Sequence, residues 1–209
     1  MNKSKLLSLL LSVIFLTGCY PYEDDTVTDY DVVASVQNPN FDYGTAQTFA
    51  LATQIPVIED QGGTPVYMDQ TSASQIITTI RSNLTARGYT EVTTGKANLV
   101  VLTALYKTTN YYVSYWWDYW GYWGYWGYPT VPVWGWGTPV VSGYTSGSLV
   151  ITVLDGTQVP NTPSSTTPVP VAWLTIENGI ASGSTSYDVT RAVNLTNQAF
   201  VQSPYFQSN

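Results

Sequence analysis

A chain of 209 residues, 44% hydrophobic and only 10% charged, carries enough apolar side chains for one domain with a real core. Its net charge of −7, with only seven Lys and Arg, excludes nucleic acid as a partner, because neutralising phosphates needs a basic face. No histidine and a single cysteine remove the commonest general base, the commonest transition-metal ligand and any internal disulfide.

In chain order, Lys3 and Lys5 precede an apolar run, Leu6 to Leu16, that ends in Leu16-Thr17-Gly18-Cys19. A charged start, about 11 apolar residues and small residues at the end fit an export signal rather than a spanning helix, which needs about 20. Leu-Thr-Gly-Cys resembles the bacterial lipobox, in which the cysteine thiol receives a diacylglycerol and becomes the first mature residue. Residues 1–18 are then a lipoprotein signal peptide and Cys19 is the lipidation site. Loss of Lys3 and Lys5 leaves five cations against 14 acids, a mature charge of −9.

Residues 19–29 hold Glu23, Asp24, Asp25 and Asp29 and read as an acidic, solvated tether. A short acidic run behind the lipidated cysteine resembles the surface-export signal of Bacteroidota lipoproteins; a plain hydrophilic spacer accounts for it equally well. Tyr20, where the similar enterobacterial sorting rule has Asp for inner-membrane retention, points to the outer membrane. Both the periplasmic face and the cell surface remain open.

From residue 30 to 209 the composition is that of a single globular domain. The runs 30–37 and 46–52, separated by the turn-rich NPNFDYG, read as paired strands. Ile76, Ile77, Ile80 and Leu84 recur at helical spacing between Ser72 and Gly88, with Gly88 as the stop and Arg81 and Arg87 toward the favourable end of the helix dipole. NLVVLTALYKT (98–108) and GSLVITVLD (147–155) are the strongest strands, too apolar and β-branched for surface loops. A further strand, VPVAWLTIEN (169–178), follows a Pro, Ser and Thr-rich loop. Asp188 to Gln202 then sets Val189, Val193, Thr196 and Phe200 on one helical face, and Ser203-Pro204 ends that helix.

This order predicts an α+β fold: an antiparallel sheet of about five strands with two helices packed on one face and an aromatic-rich insertion between two strands. NPNFDYGTAQTFAL, the helix end Arg87-Gly88-Tyr89, ANLVV, GSLVITVLD, the Trp173 strand and the helix that stops before Ser203-Pro204 together resemble bacterial lipoproteins of domain-of-unknown-function family 4136. The resemblance spans about residues 30–205. It implies the fold and an envelope location, and its motifs imply no activity.

The insertion, at about residues 111–137, holds seven of the eight Trp and seven of the 17 Tyr, with Asp118 as its only charge. Tyr119-Trp120-Gly121, Tyr122-Trp123-Gly124 and Tyr125-Trp126-Gly127 repeat every three residues. That period matches neither the two of a strand nor the 3.6 of a helix, so no regular element buries all these rings on one face. Four uses follow from the residue types. The rings can cover the sheet, meet a membrane or protein partner, stack on glycan or peptidoglycan, or line a catalytic pocket. A mixed arrangement has Tyr111 to Trp117 buried along the strand and the repeat partly exposed. The candidate contact residues are Tyr119, Trp120, Tyr122, Trp123, Tyr125 and Trp126.

For hydrolysis, Asp155, Glu177 and Asp188 are the available carboxylates, and glycoside chemistry needs only two acids at the right separation. Each has a structural reading as well: Asp155 opens a turn, Glu177 precedes Asn178-Gly179 in a hairpin turn, and Asp188 starts a helix. No phosphate loop, nucleophile elbow or metal-binding cluster occurs. The sequence therefore points to a lipid-anchored, non-catalytic envelope protein, without cofactor or metal, that binds or assembles with an envelope partner. Glycan or peptidoglycan recognition is the alternative, and carboxylate hydrolysis the third reading.

Overall fold

The computed structural model describes residues 33–58, 66–93, 96–107, 133–134, 147–159, 169–180 and 188–209. Its elements are β1 (Val33–Gln37), β2 (Thr48–Leu51), β3 (Pro56–Ile58), β4 (Val66–Tyr67), α1 (Gln70–Ala86), β5 (Thr90–Glu91), β6 (Leu99–Tyr106), β7 (Val133–Trp134), β8 (Ser148–Asp155), β9 (Val169–Glu177) and α2 (Val189–Val201). The fold is α+β, two helices on an open sheet. Among the described residues eight strands join in that sheet, and the two-residue β7 pairs only with the start of β9.

The long apolar runs form the antiparallel centre, ordered β1-β9-β8-β6. The rest departs from an all-antiparallel sheet. β2 lies parallel to the first half of β6, β3 parallel to its second half, and β5 parallel to β2. The cause is α1, which stands between β3 and β6 in the chain and supplies the crossover a parallel return requires. The strands at 30–37 and 46–52 do not pair with each other: β1 pairs with β9 and β2 with β6. NPNFDYG is therefore a crossing rather than a hairpin. Asn38 holds it to β9, its N–H donating to Ala172 O at 2.8 Å and its Nδ2 to Val171 O at 3.2 Å.

Both helices are set by local signals. Asp69 Oδ1 accepts from Ser72 N at 2.9 Å and opens α1. At the other end Gly88, at φ 87°, lets its N–H reach Thr85 O while Tyr89 N–H reaches Leu84 O. This is the Schellman closure, with Tyr89 buried behind it. Arg81 forms a two-pronged pair with Glu91 at 2.6 and 3.1 Å. Arg87 serves the end of the other helix, its Nη2 donating to Phe200 O at 2.6 Å. In α2 the buried stripe is Ala192, Leu195, Thr196, Ala199 and Phe200. It is rotated from the expected face, and Val193 is only half-buried.

The main core lies between the helices and one face of the sheet. Ile76, Ile77, Ile80 and Leu84 of α1 meet Leu99, Val101 and Leu105 of β6, with Leu195 and Phe200 of α2 in the same cluster. Burying each such side chain contributes about 1.5–3 kcal/mol.

Candidate functional site

The residues that carry the family motifs converge on one buried aromatic cluster. Trp173 lies 5.2 Å from Phe200 and 5.3 Å from Phe206, and Phe206 lies 5.1 Å from Tyr43 and 5.5 Å from Tyr89. Trp173 Nε1 donates to Ser203 Oγ at 2.9 Å, Tyr43 Oη to Ala172 O at 2.5 Å, and Tyr89 Oη to Tyr43 O at 3.2 Å. The Arg87 guanidinium sits 5.0 Å above the Phe200 ring. Desolvation lowers the Arg87 pKa and raises those of Tyr43 and Tyr89. The polar tips of Tyr43, Tyr89 and Trp173 are thus each tied to a neighbour and their rings are buried, so FDYG, Arg87-Gly88-Tyr89, Trp173 and Ser203 form a structural pillar.

A second tie explains ANLVV. Asn98 Oδ1 accepts from Gln47 N at 3.0 Å, Thr48 N at 3.1 Å and Thr48 Oγ1 at 3.0 Å, locking the start of β2 beside the start of β6. Behind it Gly156 N–H donates to Asn98 O at 2.7 Å. A Cβ at Gly156 would run into the Ala97 carbonyl oxygen.

The three candidate carboxylates are held in separate places. Asp155 Oδ1 caps the turn after β8, accepting from Thr157 N at 3.0 Å and Thr157 Oγ1 at 2.5 Å. Asp188 Oδ1 caps α2 through Arg191 N at 3.0 Å. Glu177 does not sit in a hairpin turn: it is the last residue of β9, Gly179 follows at φ 90°, and the next described element in the chain is α2 rather than a strand. Its carboxyl is fully buried beneath that helix, Oε2 accepting from Thr196 Oγ1 at 3.0 Å, and Oε1 has no partner among the described residues. Burial pushes the Glu177 pKa well above the usual carboxylate range, only partly offset by the Thr196 bond. Glu177 pairs with Leu149, six residues before Asp155 on β8, a separation of about 20 Å at 3.3 Å per residue. Retaining and inverting hydrolysis need two carboxyls roughly 5–10 Å apart, so Asp155 and Glu177 are not such a pair. Among the described residues no three of His, Cys, Asp and Glu come together as a metal site.

The sheet has a second dry face. Val100, Leu102, Ala104 and Tyr106 alternate with the helix-facing residues of β6 and are buried beside Val150, Leu154, Leu174 and Ile176. This is why LVVLTALY and SLVITVL read as unbroken apolar runs: both faces are buried. That signal was present in the sequence, although alternation alone does not say what lies on each side. Cys19, the acidic tether and Tyr119, Trp120, Tyr122, Trp123, Tyr125 and Trp126 lie outside the described residues.

Among curated proteins none matches the chain. A DUF4136 family protein of Bacteroides thetaiotaomicron, known from a crystal structure, is similar at 27% identity with a TM-score of 0.68, covering 85% of this chain and 97% of that one. A weaker likeness, TM-score 0.40 at 9% identity over 86% of this chain and 99% of the other, is to the PelC dodecamer of Paraburkholderia phytofirmans. A PDZ domain protein of Parabacteroides distasonis matches with a TM-score of 0.38 at 16% identity, over 84% of this chain and 35% of its own length. With residues 27–205 matching the family described as domain of unknown function, and a crystallised member of that family similar over 85% of the chain, the chain belongs to DUF4136.

Proposed function

We propose that this is a lipid-anchored envelope protein with a non-catalytic binding or assembly role at the outer membrane. The observation that carries the reading is Cys19, the sole cysteine, placed directly after an apolar run and Leu16-Thr17-Gly18. The acidic stretch from Glu23 to Asp31 then spaces the domain from the bilayer. The separation of Asp155 from Glu177 and the capping duties of Asp155 and Asp188 support a role without hydrolysis. The Tyr119–Gly127 repeat supplies the rings for partner contact.

In the test, cells make the protein with labelled palmitate. The wild-type chain is expected to carry label and to pellet with membranes through a carbonate wash, and Cys19→Ala to lose the label and appear in the soluble fraction. Continued pelleting of unlabelled Cys19→Ala sinks the anchor. Protease shaving of intact cells distinguishes the surface from the periplasmic face. Co-sedimentation with purified peptidoglycan, with residues 111–137 present or replaced by a Gly-Ser linker, tests the glycan alternative: sedimentation that depends on the segment favours glycan over a protein partner.

A further inference from the structure

The two sides of the sheet end differently. Beyond β2 and β3 the outermost strands, β5 and β4, are two residues each, and Glu91 of β5 carries the ion pair with Arg81. Short strands and charge keep an edge from adding a further strand. β1 closes the other side with five residues, Val-Ala-Ser-Val-Gln, and no Pro, Lys, Arg or acid among them. Its pairing with β9 uses one set of backbone groups. Asn38 N–H donates to Ala172 O, directly opposite in the register that matches Gln37 with Trp173. Val36 and Ala34 therefore also turn their N–H and C=O groups to β9, and those of Val33, Ser35 and Gln37 point away from the sheet. Among the described residues nothing meets these three sets of groups. The side chains from Val33 to Val36 are only half-buried.

We propose that β1 is a pairing edge and that its occupant is β1 of a second copy of this chain, laid antiparallel about a two-fold axis at Ser35. This register uses the whole strand. Ser35 faces Ser35 of the second copy and Val33 faces its Gln37, and each of these pairs exchanges two backbone hydrogen bonds. Like charges directly opposite each other would oppose self-pairing, and β1 has none. Ser35 shares the helix-side face with Thr175, to which its hydroxyl donates at 3.1 Å. Ala34 and Val36 alternate to the other face, where they meet Val36 and Ala34 of the second copy. The contact is isologous, so one edge supplies both halves and the assembly closes as a dimer.

The helix layer accommodates the second copy. α2 rests on both β1 and β9, and Asn197 on one of its flanks accepts from Asn83 Nδ2 of α1 at 2.7 Å. The opposite flank, on the β1 side, carries Gln198 and Gln202, both exposed and neutral. A two-fold axis normal to the sheet keeps both α2 helices on the same side of the joined sheet. With strands about 4.8 Å apart, an α2 seated between β1 and β9 stands roughly 10 Å from its copy, a distance at which helices pack. Five paired residues and one helix flank make a small interface, so the association is reversible. It gives the assembly role a partner, and it rests on the edge alone, whether or not Cys19 is lipidated.

The test makes the full chain with Ser35→Cys in cells, oxidises with copper phenanthroline and reads linked dimers on non-reducing gels. Mass spectrometry of the linked peptide identifies position 35, so a thiol at Cys19 is not mistaken for it. Hydrogen-bonded antiparallel neighbours have Cα atoms about 5.5 Å apart, which a disulfide spans, whereas Gln37 stands about 14 Å from Gln37 of the second copy. Ser35→Cys is expected to give a dimer linked through position 35, at least about tenfold more than Gln37→Cys gives through position 37. Gln37→Pro removes an N–H that points away from β9 and spares the β1–β9 ladder. Added to Ser35→Cys, it is expected to abolish the dimer with Tm unchanged within about 3 °C. If that variant melts early, the contrast between positions 35 and 37 decides. No dimer from Ser35→Cys, equal linking at the two positions, or a dimer that survives Gln37→Pro overturns the proposal.

Discussion

Thr196 Oγ1 donates to Glu177 Oε2 at 3.0 Å, joining the middle of α2 to the last residue of β9 at a point closed to solvent. No other hydrogen bond reaches that carboxyl among the described residues. A buried acid with one donor is stable when protonated and costly when ionised, which makes this contact sensitive to pH.

The sign follows from burial, which raises the folded pKa well above the ordinary value of 4.5. Below that value both folded and unfolded chains hold the proton. As pH rises from there toward the folded pKa, only the native state still holds it, and stability falls by about 1.4 kcal/mol per pH unit. Glu177→Gln keeps an acceptor for Thr196 and cannot ionise. Urea unfolding is expected to show the variant about 1–3 kcal/mol more stable than the parent at pH 8, with the difference gone near pH 4. Parallel stability profiles for the two proteins would show that Glu177 does not titrate in this window.

Ile80 and Leu84 are both 0% exposed and belong to the core cluster that holds Leu99, Val101 and Leu105 of β6. Cutting either to Ala removes buried methyl groups and leaves a cavity, at a cost of about 2–5 kcal/mol. Denaturant midpoints check this, and losses below about 1 kcal/mol at both positions would place the stripe in solvent.

Asn98 separates hydrogen bonding from packing. Asn98→Ala removes the acceptor shared by Gln47 N–H, Thr48 N–H and the Thr48 hydroxyl and is expected to cost about 1–3 kcal/mol. Asn98→Asp keeps that acceptor and is expected to retain most of the stability at neutral pH. Equal losses in the two variants would mean that the Oδ1 contacts contribute nothing.

Gly88 and Gly156 are required for different reasons. At Gly88 the left-handed φ of 87° is the obstacle, and Ala there costs about 1–2 kcal/mol. At Gly156 the obstacle is the Ala97 carbonyl oxygen, so Ala must push the two backbone segments apart, at about 1–3 kcal/mol. Amide exchange distinguishes them: Gly88→Ala should loosen the end of α1, and Gly156→Ala the Gly156 to Asn98 hydrogen bond.

The sequence by itself determined the elements whose signals are local. The stripe of Ile76, Ile77, Ile80 and Leu84, the stop at Gly88 and the cap at Asp188 follow from side chains a few residues apart, and the β-branched runs of β6 and β8 declare strands wherever they are placed. Only the tertiary structure decided the partners. β1 against β9 joins residues about 140 positions apart, as in Ser35 to Thr175; the two-residue strands β4, β5 and β7 exist only because a longer neighbour accepts them. Glu177 reads as a turn residue before Asn178-Gly179, and it is desolvated only because α2 folds back over it with Thr196 in reach. Periodicity is a property of about ten consecutive residues, whereas pairing, burial and pKa are set by whatever distant segment arrives on the other side.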